Sequence, residues 1–520
     1  MLREQFARRS PKDGCSPQGQ CGCCTVWVDG AARVACVTPV RRVEGRAVTT
    51  LEGLADEDRR SWGEAFAAAG ASQCGFCTPG IIMRLAALGG RGRPVDDRAV
   101  RSALLAHLCR CTGWQSVVEA ADAVLGGGRP PVGETRDPLL AAWRAQLEGP
   151  AFQTSGPEVA LGGGGFAEDT APADALVAVP AGDGFVLDET LPSARGRAGK
   201  VQGRRSTVPL RAPVGVPAGE WVLTLQTTWV EPAYLEPDAS WCVPGGRPAS
   251  PLANGGAFGG KRHSPLPAVA QRLAGETGRP VRAVWSREDV VRGGPKRPPV
   301  AVGVDRNGNG VLRAGRSAGD GPLAGYADAV AAGLPGLAVE YVDVAGPPTS
   351  VDLRGAGWAE AAVVAGALPF ALSGTTGPGL PVEVVGRRGG RARVTIGADG
   401  SVEVAVWAGE VLDRVTLRSY CLGAVHQALG WVRHEAVAVD RHGEVHDLTI
   451  RSFGILPARD TPHVHVTIHP DDGLPVNGSD AVFAATAAAA WLADGLPARW
   501  PTRRSGWDDE APGAGGEVVP

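Results

Sequence analysis

Gly14-Cys15-Ser16-Pro17-Gln18-Gly19-Gln20-Cys21-Gly22-Cys23-Cys24, with Cys36 twelve residues on, is the stretch from which the rest of the chain is read. A second group follows at Cys74-Gly75-Phe76-Cys77 and Cys109-Arg110-Cys111, so nine of the eleven cysteines fall between residues 15 and 111. Plant-type [2Fe–2S] sites use C-x₄-C-x₂-C plus a distant fourth cysteine, because four thiolates converge on two irons from a glycine-rich loop. Gly14, Gly19 and Gly22 let the backbone wrap tightly and aim N–H groups at sulfur. The first set reads as Cys15, Cys21, Cys24 and Cys36, with Cys23 left over; the second is Cys74, Cys77, Cys109 and Cys111.

Two blander readings compete. A disulfide framework suits a small secreted domain, and this chain has 520 residues and no charged-then-apolar leader at its start. A zinc site wants two separated C-x₂-C knuckles, which Cys109-Arg110-Cys111 does not supply. Ligand type and spacing favour clusters.

Three runs then resemble the small iron–sulfur subunit of the xanthine oxidase/aldehyde oxidase (molybdenum hydroxylase) family. They are Gly14-Cys15 with Gly19 to Val26, Gln73 to Gly80, and Leu108 to Gly113. The resemblance implies a ferredoxin-like β-grasp domain around the first cluster. It also implies a helical bundle around the second, with Gln73 and Cys111 against a molybdopterin. Two departures stand out. Five residues separate Cys15 from Cys21, where the family usually has four, so the loop bulges or Cys23 competes as a ligand. Met1 falls where the family already has the helix leading into the cluster loop. The opening β-hairpin is therefore expected to be missing, through a truncated start or a strand supplied by a partner.

The expected architecture is α+β and multidomain. Residues 1–50 form a partial β-grasp domain and 51–127 a helical [2Fe–2S] bundle. Residues 128–165 form a linker, 166–310 and 311–505 two parts of a mixed α+β molybdopterin-binding-like region, and 506–520 a disordered tail. Thr25 to Val28 before Asp29-Gly30 reads as a strand and turn. Helical spacing follows Thr78-Pro79-Gly80, and the i, i+4 pattern of Val100, Leu104 and Leu108 predicts Cys109 at a helix end. Gly126 to Pro131 cannot continue a helix, and one helix is expected around Leu139–Leu147. Gly162 to Gly165 lacks the Lys-Ser/Thr of a phosphate loop. Ala301–Val304 with Asn307 to Gly310, Ala392–Trp407 and Val437–Ile450 read as hairpins. Further helices are expected at Ala268–Thr277, Ala359–Leu372, Gly423–Trp431 and Ala481–Ala493.

The second half resembles the family's large, molybdopterin-binding subunit at Leu235-Glu236-Pro237, Gly255 to Lys261, Arg354-Gly355-Ala356-Gly357 and Gly423 to Gly430. By that resemblance Phe258 and Gly259 lie near the molybdenum and Arg354 near metal and substrate. The family's catalytic glutamate is absent: Ala484 stands at its position and Phe483 replaces a glycine. An alanine cannot take a proton, so no catalytic base is identified. No G-Q-G loop occurs between Val394 and Gly423, about half of the large subunit is absent, and there is no flavin domain. His463, His465 and His469 read as a solvated strand face, Cys242 and Cys421 as isolated thiols, and Glu360 as an ion-pair residue.

A net charge of −3 gives no basic surplus for nucleic acid. No stretch approaches the ~18–20 apolar residues of a membrane span. Clustered free thiols point to the cytoplasm. The leading reading is an iron–sulfur oxidoreductase component passing single electrons through two [2Fe–2S] clusters, with molybdopterin as the further cofactor the resemblance allows. Its partners would be a complete molybdenum-binding subunit and a flavin or other electron-acceptor subunit. The alternatives are a self-contained hydroxylase of an aldehyde, purine or N-heterocycle, and a non-catalytic docking scaffold.

Overall fold

Asp29 and Gly30 both take positive φ (49° and 75°), as a type I′ turn needs, and join β1 (Thr25–Val28) to β2 (Ala31–Val34). The computed structural model describes residues 1–89, 95–126, 136–149, 152–200, 206–251, 256–317, 323–508 and 518–519. A two-residue β3 (Val48–Thr49) pairs with the other edge of β1, so the sheet runs β2-β1-β3. So small a sheet covers little. An open groove of about 800 Å³, lined by Leu2, Val26, Val28, Cys36, Val40 and Val48, runs beside it.

α1 (Asp56–Ala69) opens on three acidic residues, which complement a helix N-terminus, and ends at Gly70 in the left-handed region. α2 (Thr78–Gly89) begins directly after Cys77 with a proline in its first turn. α3 (Asp97–Ala103) is capped by the Asp96 carboxylate. α4 (Gln115–Leu125) packs on α1, and α2 packs on β1. Cys109 is not at a helix end: α3 stops at Ala103, a tight turn covers 104–106, and Leu108 N–H donates to the Cys21 carbonyl (3.0 Å). That backbone donor joins the two cysteine loops instead of extending the helix.

The stretch expected as a linker is packed over its described part. α5 (Pro138–Glu148) buries Ala141, Ala142, Arg144, Ala145 and Glu148 against the second half of the chain, and α6 (Pro157–Ala160) lies on α1. Glycine and proline mark where helices break, not whether the chain between them docks. The linker residues 128–135, 150 and 151 lie outside the described residues, as does Gly255.

Next along the chain come α7 (Ala167–Thr170), β4 (Leu176–Ala181), β5 (Gly184–Asp188), α8 (Leu191–Arg197), β6 (Leu223–Gln226) and β7 (Ala239–Cys242). They are followed by α9 (Leu266–Thr277), β8 (Val281–Val284), α10 (Arg287–Gly293), β9 (Val300–Val304), β10 (Gly310–Ser317), α11 (Tyr326–Gly333) and β11 (Leu337–Val344). α12 (Trp358–Ser373), β12 (Val382–Val385), β13 (Arg391–Ile396), β14 (Val402–Trp407), α13 (Arg414–Arg433), β15 (Val464–Ile468) and α14 (Ser479–Ala493) complete the core. Three mixed sheets result, ordered β5-β4-β8-β7, β11-β10-β9-β6 and β12-β13-β14-β15.

α14 is alanine-rich and buried on nearly every side, so its small side chains let α12, α13, β12 and β13 all close on it. The expected hairpins at 301–310 and 392–407 are present as β9–β10 and β13–β14. The segment 437–450 is a hairpin cut short: the antiparallel bridge of Val439 to Val445 is flanked by Asp440 N–H to the Glu444 carbonyl (3.0 Å) and His446 N–H to the Ala438 carbonyl (2.8 Å). The Val437 N–H donates instead to the Trp229 carbonyl, so the pairing goes no further back along the chain. Nor is the tail free throughout: Trp507 bridges to Leu210, and 518–519 pair with the open edge of β11. Residues 509–517 and 520 lie outside the described residues. Among the described residues no helix is long and apolar enough to cross a membrane.

Candidate iron–sulfur centres and the adjoining groove

The first loop absorbs its extra residue by bulging at Ser16 (φ 54°), which lets the Gln18 N–H donate to Cys15 Sγ at 3.2 Å. Cys15 shares hydrogen bonds with Cys21 and Cys36, and Cys36 with Cys24; the Cys36 N–H also lies 3.4 Å from Cys24 Sγ. Hydrogen bonding to Cys15, with burial behind it, raises the Cys21 and Cys36 thiols above their ordinary range. In the second set Cys74 Sγ and Cys111 Sγ are 3.9 Å apart, and Cys109 shares hydrogen bonds with Cys111 and Cys77. Hydrogen bonding to Cys109, with burial, raises Cys77 and Cys111.

Spacing distinguishes the kind of cation. Tetrahedral zinc at a Zn–S distance of about 2.3 Å holds its sulfurs about 3.8 Å from one another. Among the described residues no three cysteine sulfurs lie within 4.8 Å of one another, so each set is wider than one ion spans. N–H donors reach Cys15, Cys24 and Cys74, and a Cβ on Gly14 or Gly256 would come within 3.2 or 3.3 Å of Cys21 or Cys111 sulfur. Wide thiol sets in glycine-lined cradles fit binuclear iron–sulfur clusters.

Backbone joins the two loops. A Cβ on Gly80 would meet the Gly22 carbonyl at 2.3 Å, and one on Gly22 would meet the His107 ring at 2.4 Å. His107 Nε2 lies 3.0 Å from Thr25 Oγ1 and 3.2 Å from the Gly80 carbonyl, and burial pushes its pKa down to about 3. Cys23 is fully buried, donates to the Cys21 carbonyl, and feels the charge of Cys109. It lies between the two sets.

The residues assigned by resemblance to the molybdopterin region also converge. Gln73 Nε2 donates to the Cys111 carbonyl (2.9 Å) and Ser419 Oγ (3.1 Å), while its Oε1 is buried without a partner. Gly259 (φ 98°) lies so close to Asp352 that a Cβ would fall 1.9 Å from its carbonyl oxygen, and Arg354 N–H donates to the Phe258 carbonyl. The Arg354 guanidinium, 4.7 Å from the Phe258 ring, donates to Asp480 (2.9 Å), Gln427 (3.2 Å) and Ser479 (2.7 Å). Ala484 is fully buried in α14, and Phe483 stacks on Trp431 at 5.3 Å. No proton acceptor replaces the family's glutamate at that position.

Space is the test of whether a pterin fits. The cavity bounded by Arg110, Phe258, Arg297, Arg354, Trp431 and Phe483 holds about 40 Å³, and that beside Gln73 about 20 Å³. Cofactor pockets run to ~300 Å³ or more. The second cavity suits one water on the unpartnered Gln73 oxygen. A molybdopterin does not fit in either of these two cavities as they are arranged, and the space beside Gly259 and Lys261, about 250 Å³, lies on the far side of that loop from Gln73.

Glu360 is the ion-pair residue expected, accepting from Arg297 through both oxygens. Two other buried pairs were invisible to motif reading: Arg110 donates to both Glu435 oxygens, and Arg144 to Glu148. The i, i+4 spacing of the last was the only signal available, and such pairs commonly lie on surfaces.

Comparison with known proteins agrees with this geometry. Residues 50–122 match the [2Fe-2S] binding domain family. The chain is 45% identical over 121 residues to the xanthine dehydrogenase iron-sulfur-binding subunit of Escherichia coli, covering 23% of this chain and 75% of that protein. It is 39% identical over 115 residues to the nicotinate dehydrogenase small FeS subunit of Eubacterium barkeri, covering 22% and 73%. Among solved structures, the aldehyde oxidoreductase of Desulfovibrio desulfuricans superposes with a TM-score of 0.71 at 14% identity, covering 96% of each chain. That last likeness is one of fold.

Proposed function

The chain belongs to the molybdenum hydroxylase family, and from that premise we propose that it is an electron-transfer component, passing single electrons through two [2Fe–2S] clusters. The observation that carries this reading is the pair of four-thiol sets held backbone to backbone through Gly22 and Gly80. Each set of four thiolates would hold a cluster that would supply a one-electron acceptor, so two such clusters would take the electron pair released when a substrate is oxidised. Cys15, Cys21, Cys24 and Cys36 ligate the first; Cys74, Cys77, Cys109 and Cys111 ligate the second. A complete molybdenum-binding subunit supplies the electrons, and a flavin or other acceptor subunit removes them. Cysteines in such number with no disulfide among them suit a reducing compartment, the cytoplasm. With Ala484 at the base position, the second half serves as scaffold rather than as a hydroxylase.

The test is iron content and reduced-state EPR. About four irons per chain and two signals are expected. Cys77→Ser should remove one signal and leave the other; loss of both, or of neither, refutes the ligand assignment.

A further inference from the structure

α5 is built the wrong way round for an ordinary surface helix. Leu139 (66% exposed) and Trp143 (60%) face outward, while Arg144 and Glu148, both fully buried, face in. A helix that turns charge inward needs a matching partner for every donor and acceptor. α5 has one. Arg144 donates to the carbonyls of Val411 (3.0 Å), Val476 (2.7 Å), Ala408 and Glu410 as well as to Glu148 (3.0 Å). The Glu148 carboxylate accepts the N–H groups of Gly478 (3.2 Å) and Ser479 (2.8 Å), the unpaired donors at the start of α14. Asn477 closes the seam by donating to the Leu147 carbonyl (2.9 Å).

The position of this helix gives the fit its meaning. Ala145 packs on Phe258 and Tyr420, and the same residue lines the small cavity beside Gln73. α5 therefore stands between the Gln73 and Phe258 loops, and its carboxylate neutralises the donors at the head of α14. Ser479 and Asp480 at that helix start also hold Arg354.

We propose that α5 is an internal plug, a segment of this chain that fills the groove between Gln73 and Phe258 and leaves the second half closed to molybdopterin. The anionic end of the plug is Glu148, its cationic brace is Arg144, and Ala145 fills the middle. Electrons then reach the clusters only from a separate subunit.

The full-length protein, produced in a host that makes molybdopterin, is assayed for molybdenum, for pterin by fluorescence of its oxidised form, and for hydrogen exchange. Wild type should hold less than a tenth of a molybdenum and of a pterin per chain. Its α5 amides should exchange as slowly as those of α14. Glu148→Ala should speed α5 exchange at least tenfold with both cluster signals retained. Should that variant fail to fold, Glu148→Gln keeps the volume and should speed exchange to a smaller extent. Molybdenum or pterin above half per chain in wild type overturns the proposal, as does α5 exchanging like an exposed loop. Iron content and EPR report the electron-transfer reading separately.

Discussion

Removing Arg110 should be among the costliest single changes in this protein. Its guanidinium donates to both oxygens of Glu435, its Nε to the Pro232 carbonyl (2.9 Å), and it lies over the Phe453 ring (5.8 Å). Glu435 has no exposed side-chain surface, and burial already raises its pKa. Arg110→Met keeps the aliphatic stem but strands a carboxylate in a dry site, a loss of about 3–5 kcal/mol. Surface pairs are worth about 0–1 kcal/mol, so the two cases separate cleanly. Arg110→Met with Glu435→Leu removes both charges and should recover most of the loss. The single variant carries a pH signature as well. A group whose folded pKa is raised gives stability that is greatest below its unfolded pKa, so the deficit should shrink as pH falls from 8 towards 5. Urea unfolding followed by cluster absorbance and far-UV circular dichroism reads both effects. An Arg110→Met protein within about 1 kcal/mol of wild type at pH 8 would refute the reasoning.

Two further changes test other joints. Gly423→Ala places a Cβ 1.9 Å from the Cys111 carbonyl, so α13 must retreat by more than an ångström. The overpacking should cost about 1–3 kcal/mol, less the ~1 kcal/mol that alanine returns in helix propensity, and should shift the EPR signal of the second cluster; an unchanged melting temperature and signal would contradict the packing. His426 is buried, donates through Nε2 to the Leu456 carbonyl, leaves Nδ1 without a partner, and has its pKa lowered by burial to about 4 from 6.5. Below pH 6.5 the unfolded chain takes a proton that the folded chain refuses, so stability falls as pH drops towards 4 by about 3 kcal/mol. His426→Gln should flatten that slope, and an identical slope in the variant counts against it.

The thiol sets were legible because their spacing is local, the helix at 266–277 because periodic apolar residues announce it, and those at 358–373 and 479–493 because long alanine-rich apolar runs do. Ala484 could be seen to be wrong for catalysis from one position. What escaped was whatever depends on distant partners. Arg110 and Glu435 are 325 residues apart, and neither sits in a pattern that names the other. Arg144 and Glu148 are neighbours on one helix, yet only tertiary burial separates a plug from a solvated pair in a tether. The hairpin anticipated over 437–450 is shorter than expected for the same reason, since the Val437 N–H goes to the distant Trp229 carbonyl.

The close approach of Gly423 to Cys111, and of Gly113 to the Leu422 carbonyl, makes α13 a roof over the second thiol set. None of those four cysteines is more than 6% exposed. The roof is made from residues some three hundred positions later in the chain, so the cover over the second thiol set closes only when the two halves of the chain meet.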